Sequence, residues 1–165
     1  NQVPFDKFLK FSSDEEDKNQ VRNLISDTQS ILLNSKLVEF SINDYLDTPR
    51  SIHDLIKGKN AFLFFWSPEY VSEPYLVSRI NFLSNTYQNI AFIPIKIDGV
   101  KTERIEKLDI KAQFYLADDS SANQFLTSKM PRSILVNKQG KVMNGYASIS
   151  SPNLDEYLIN LNKLK

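Results

Sequence analysis

Any chemistry this chain performs must come from a short list of side chains. Its 165 residues include no cysteine and a single histidine, His53. Without cysteine there are no disulfides, thiol nucleophiles, iron–sulfur clusters or cysteine zinc sites. One imidazole rules out a multi-histidine metal centre within the chain, and a Ser-His-Asp mechanism would have to run through it alone. His53 falls in a short helical stretch beside Asp54, and neighbours along a helix do not face each other, so a surface histidine is expected. Carboxylates occur close together at Asp118-Asp119 and at Asp44 with Asp47. Glycoside hydrolysis needs two carboxyls held across a pocket at a set separation, and nothing in these spacings favours that. Ser12-Ser13-Asp14-Glu15-Glu16-Asp17 lacks the glycine and the spaced ligands of a calcium loop. It reads instead as a helix cap, with acids set against the positive end of the helix. The four glycines are not closely spaced, which leaves no phosphate-cradling loop. No metal and no cofactor is expected.

Bulk composition narrows the class further. Twenty basic residues balance twenty acidic ones, with 41% hydrophobic and 24% charged residues. That is the make-up of an ordinary globular domain rather than a disordered chain, and it disfavours a strongly basic nucleic-acid binder. The longest apolar run, Ala61 to Trp66, falls far short of the ~20 residues that span a bilayer. A chain starting at Asn1 rather than Met is expected to be a processed or trimmed product, which leaves open a preceding secretion signal or lipid anchor.

The elements that must position these side chains follow from periodicity. Residues 1–12 read as an extended lead-in. Val21, Leu24, Ile25, Thr28, Ile31 and Leu32 step by three and four, predicting an amphipathic helix over 14–34. A strand is expected at 37–43, a turn at Asp47-Thr48-Pro49-Arg50, and a short helix at 51–58 closed by Gly58. Ala61 to Trp66 is apolar on both faces, as in a buried central strand. Residues 69–88 suit a helix that Pro74 should kink or delay. Residues 90–98 read as a second strong strand, and Pro94 in it suggests a place toward an edge or a late start. Short helices at 101–110 and 120–127 flank an extended Phe114-Tyr115-Leu116. A strand at 133–137, a hairpin turn at 137–140, a strand at 141–146 and a helix at 152–164 complete the chain. This order, β-α-β followed by β-β-α, implies a mixed central sheet with helices on both faces.

Four segments carry a family resemblance. Val38 to Asn60 looks like an opening strand and short helix ending in Lys57-Gly58-Lys59. Ala61 to Trp66 looks like a strand ending in Phe-Trp. Met130-Pro131, followed by Ser133 to Lys141, looks like a Val-Pro-Thr-x-Phe-Leu-Ile-Asp-x-x-Gly-Lys segment. The terminal helix matches as well. In that order they resemble the TlpA/ResA-like (AhpC/TSA-related) thiol–disulfide oxidoreductases of bacterial cell envelopes, within the thioredoxin-like superfamily. The resemblance implies a thioredoxin-like α/β domain over 37–165, preceded by the lead-in and amphipathic helix of 1–36. It also implies a cis Pro131 facing the redox motif, and an envelope, periplasmic or extracellular location.

The departure from that family is just as informative. Where the family carries Cys-x-x-Cys after its Phe-Trp strand, this chain reads Trp66-Ser67-Pro68-Glu69-Tyr70-Val71-Ser72-Glu73. Tyr70 stands at the first cysteine and Glu73 at the second. Disulfide exchange needs a thiolate attacking a disulfide sulfur, which a phenol and a carboxylate cannot provide. Disulfide oxidoreductase and thiol peroxidase activities are therefore excluded, and no enzyme activity is expected. Trp66, Tyr70, Glu73, Tyr75, Met130 and Pro131 form the candidate surface for a peptide or protein partner, with strand addition beside the proline as the physical basis. A filled-in former active site, with Tyr70 packed and Glu73 favourable at a helix start, is the plainer reading of the same residues. An enzyme with a repurposed carboxylate pocket and a purely structural domain of a larger protein are the alternatives.

Overall fold

The computed structural model describes residues 14–97, 113–116, 132–147 and 152–163, with the side chains of 23–30 and 146–147 set aside. The expected lead-in, the helices at 101–110 and 120–127, and Met130-Pro131 with its cis bond lie outside the described residues.

Two apolar runs build the centre. β3 (Asn60–Trp66) is buried along its whole length and pairs in parallel with β4 (Ile90–Lys96), in register from Asn60↔Ile90 to Trp66↔Lys96. On its other side β3 pairs antiparallel with β6 (Arg132–Val136), which continues into β7 (Val142–Ala147). Beyond β4 lie β5 (Phe114–Tyr115), β1 (Ser41–Asp44) and β2 (Pro49–Ser51). The sheet order is β2-β1-β5-β4-β3-β6-β7, with β3, β4 and β5 parallel and the remaining pairs antiparallel. This is the expected mixed sheet.

Strand alternation separates two hydrophobic layers. Phe62, Phe64 and Trp66 face α3 (Glu73–Thr86) and α4 (Leu154–Asn162), which contribute Leu76, Val77, Ile80, Leu83, Leu154, Leu158 and Leu161. Ala61, Leu63 and Phe65 face the opposite layer, where Ile52 and Ile56 of α2 (Ile52–Ile56) meet Leu37, Phe40 and Ile31. Each large side chain buried in this way contributes about 1.5–3 kcal/mol.

Local chemistry sets the boundaries. Ser51 caps α2 by accepting from the Asp54 amide, and Gly58 follows at φ 68°, the left-handed turn that glycine takes without strain. α3 starts at Glu73 rather than 69, because Pro74 sits in the first turn, where its missing N–H costs nothing. Residues 67–71 form a turn instead, with Ser67 O accepting from the Tyr70 and Val71 amides at 3.1 and 3.0 Å. Pro94 lies inside the sheet, not at its edge. β5 pairs only with Ile95 and Lys96, so the proline falls one residue before that register begins and no ladder bond asks for its N–H. In the hairpin between β6 and β7, Asn137 Oδ1 accepts from the Gln139 and Lys141 amides, and Gly140 adopts φ 77°.

The N-terminal helix α1 spans Glu15–Ser30, with Asp14 Oδ1 accepting from the Glu16 and Asp17 amides. The chain after it runs beside the start of β7. Asn34 N–H donates to Val142 O, Val142 N–H to Ser35 O, and Leu37 N–H to Gly140 O. Among the described residues, no helix is long and apolar enough to cross a membrane.

Candidate functional site

In open α/β sheets ligands collect beyond the carboxyl ends of the parallel strands. Here β3 and β4 end together at Trp66 and Lys96, and the chain turns at Ser67-Pro68 into α3. Ile97 N–H donates to Trp66 O at 2.9 Å, locking the two strand ends together. Trp66 is 4% exposed and packs in the same layer as Val71 and Leu76. Its ring therefore backs the junction from within the core rather than opening onto solvent. Ser67 is buried, and its hydroxyl has no hydrogen-bond partner among the described residues.

The other expected residues lie outside this wall. Tyr70 and Tyr75 are 50% and 42% exposed. Glu73 is exposed in the first turn of α3, where a carboxylate is favoured by the helix dipole. Ser72, the residue preceding the helix, makes no side-chain cap. The structure thus brings Trp66, Tyr70, Glu73 and Tyr75 to one strand-to-helix junction, with one aromatic inside and two outside. Tyr45, Trp66, Leu76, Pro94, Gln113 and Phe114 border a crevice beneath it that has no room for a ligand.

His53, Asp44 and Asp47 each have structural partners. His53 Nδ1 lies 2.9 Å from Glu39 Oε2, and its Nε2 donates to the Leu37 carbonyl, so the ring ties α2 to the segment before β1. Asp44 organises the β1–β2 turn. Its Oδ1 accepts from the Leu46 and Thr48 amides, and its Oδ2 meets Arg50 at 2.9–3.0 Å. Burial works against ionising Asp44, but these donors outweigh it and hold the carboxyl below the usual aspartate range. Asp47 accepts from the Tyr115 hydroxyl at 2.8 Å. Asp44 and Asp47 therefore serve the turn and the sheet. No group of three or more His, Cys, Asp or Glu gathers to hold a metal among the described residues.

The sequence reading did not single out Lys59 and Lys138, which border a cavity of about 530 Å³ at the opposite end of the sheet. Their sequence separation hid them. Lys57-Gly58-Lys59 registered only as a turn, and Lys138 only as part of a hairpin.

No protein-family model matches the sequence, and no curated protein does. Solved structures do match. A candidate thiol-disulfide oxidoreductase from Bacteroides vulgatus aligns at 20% identity and TM-score 0.61, over 81% of this chain and 99% of that one. A candidate thiol:disulfide interchange protein DsbE from Chlorobium tepidum aligns at 15% and 0.63, over 81% and 99%. A domain of a candidate thiol-disulfide isomerase from Cytophaga hutchinsonii aligns at 18% and 0.62, over 81% and 95%. The fold is thioredoxin-like, as the resemblance implied. The names of these neighbours speak of dithiol chemistry, yet this chain has no cysteine to supply the attacking thiolate.

Proposed function

We propose that this thioredoxin-like chain, lacking dithiol chemistry, is a non-enzymatic binding module that holds an extended peptide or protein partner in the bacterial cell envelope. One observation carries this reading. Tyr70 and Tyr75 stand exposed, one before and one after Glu73 in the chain, just beyond the carboxyl ends of the parallel strands β3 and β4. Tyrosine supplies large contact area at low entropic cost and is enriched among the residues that dominate interfaces. Glu73 adds a charge that can select a cationic group on the partner. The envelope setting is supported by the family resemblance. The family resemblance adds Met130 and Pro131 to the candidate site.

The test is selection of a displayed random-peptide library on the intact protein. Enriched peptides are expected to bind the Tyr70→Ala/Glu73→Ala variant about tenfold or more weakly, with an unchanged circular dichroism spectrum. Equal binding to both proteins would remove this site, and a library that yields no enriched peptide would remove the peptide-binding reading.

A further inference from the structure

The amino ends of the central strands carry a different kind of surface. β3 begins at Asn60 and β4 at Ile90, and both residues border the cavity of about 530 Å³ together with Lys59, Gln88, Asn89 and Lys138. No carboxylate of a described residue lines it. A second cavity, of about 200 Å³, adjoins it through the shared residues Gly58 and Lys138, and adds Lys36, Lys57, His53 and Asp54. Four lysines and one aspartate thus line two adjoining cavities, which together form a depression, on a chain whose formal net charge is zero.

The ion pairs among the described residues join Lys18 to Glu15, Arg50 to Asp44 and His53 to Glu39. None of them engages Lys36, Lys57, Lys59 or Lys138. The positive charge around the depression is therefore concentrated and has no carboxylate partner among those residues. Its rim is also held in place. Asn60 Oδ1 accepts from the Lys138 amide at 3.1 Å, while Asn60 Nδ2 donates to Leu161 O at 3.2 Å. The Asn89 backbone and side-chain N–H groups both donate to Asn162. One asparagine thereby fastens the hairpin that carries Lys138 to both β3 and the end of α4.

We propose that this depression binds a small ligand bearing one or more phosphate groups. Lysine recognises anions as a compact point charge, which suits a multiply charged phosphate. A planar carboxylate is better matched by the guanidinium fork, and no arginine lines either cavity. The larger cavity falls within the size range of small-molecule sites, and the smaller one lets a second charged group reach Lys36 and Lys57. The ligand can be a soluble phosphorylated molecule or the headgroup of an anionic phospholipid. This site lies at the other end of β3 from Tyr70 and Glu73, so each can fail without the other.

Inorganic pyrophosphate titrated into the full chain by calorimetry supplies the test for the soluble source. Co-sedimentation with phosphatidylglycerol vesicles, against phosphatidylcholine vesicles, supplies it for the lipid source. The expected result is saturable binding in one of these arms that weakens with added salt and falls at least about tenfold in Lys59→Gln/Lys138→Gln. Lys18→Gln/Arg22→Gln, which changes two cations of α1 that line neither cavity, should bind as the wild type does. Absence of binding in both arms overturns the proposal, as does an equal loss in the two variants.

Discussion

The Cγ2 atom of Ile31 lies 2.8 Å from where a side chain would begin at Gly145. The only residue that fits there is the one with no side chain, and the isoleucine fills the space. Arg132 Nε donates to the Gly145 carbonyl in the same stretch of β7 at 2.7 Å, so backbone and side-chain contacts converge where the chain after α1 meets the sheet. Gly145→Ala should therefore destabilise the protein by about 1–3 kcal/mol through overpacking. Ile31→Ala alone should cost about 2–5 kcal/mol through the cavity it leaves. Urea denaturation of the two single variants and the double variant is the check. The double variant should be less destabilised than the sum of the singles, because the smaller residue relieves the clash.

Acid should act through Asp44. Its folded-state carboxyl titrates below the ordinary aspartate value, so the unfolded chain takes up the proton first as pH falls. The stabilisation is complete at neutral pH and is withdrawn on acidification, over a window from about pH 5 downward. Thermal unfolding measured across that range should show a steeper loss in the wild type than in Asp44→Asn. Parallel curves would assign the acid sensitivity to other groups.

Tyr87 governs the alkaline side. It follows the last turn of α3 and donates its hydroxyl to Asp155 Oδ1 at 3.1 Å, joining α3 to the first turn of α4. Burial first, and then the Asp155 carboxylate, push the phenol above its ordinary value. The folded state thus holds this proton more tightly than the unfolded chain, and stability should fall as pH climbs beyond about 10. Tyr87→Phe should lose about 0.5–1.5 kcal/mol at neutral pH and show a weaker alkaline decline. Absorbance at 295 nm should reveal one fewer late-ionising tyrosine in that variant.

Reduction of insulin by dithiothreitol should proceed at the same rate with and without the protein, since the chain offers no sulfur to relay electrons. Acceleration of insulin precipitation would mean that a non-thiol route exists.

The extent to which the structure could be read from the sequence differs by element, for physical reasons. β3 and β4 were plain because a strand buried on both faces is written as a continuous apolar run. α4 was plain because one face repeats at helical spacing. β2 was read as a turn because its three residues carry a proline and no apolar alternation, and only pairing with Ser41 to Asn43 makes them a strand. β1 began later than expected, at Ser41 rather than 37, because residues 34–37 bond to the β6–β7 hairpin first. Pro94 misled because a sequence does not say where a neighbouring strand starts. Tyr70, Glu73 and Tyr75 could be gathered at one junction because they are close along the chain. Lys36, Lys59 and Lys138 could not, because only the folded sheet brings their three segments together.

Six of the seven residues of β3 belong alternately to the two core layers, with Phe62, Phe64 and Trp66 in one and Ala61, Leu63 and Phe65 in the other. Neither layer can melt while the other keeps its full set of contacts, since both are lined by the same strand. The unfolding of one face should therefore be coupled to that of the other, and the described core is expected to unfold as a single cooperative unit. The amide protons of β3 are expected to exchange only when the whole sheet opens, so their exchange with deuterium should report global stability.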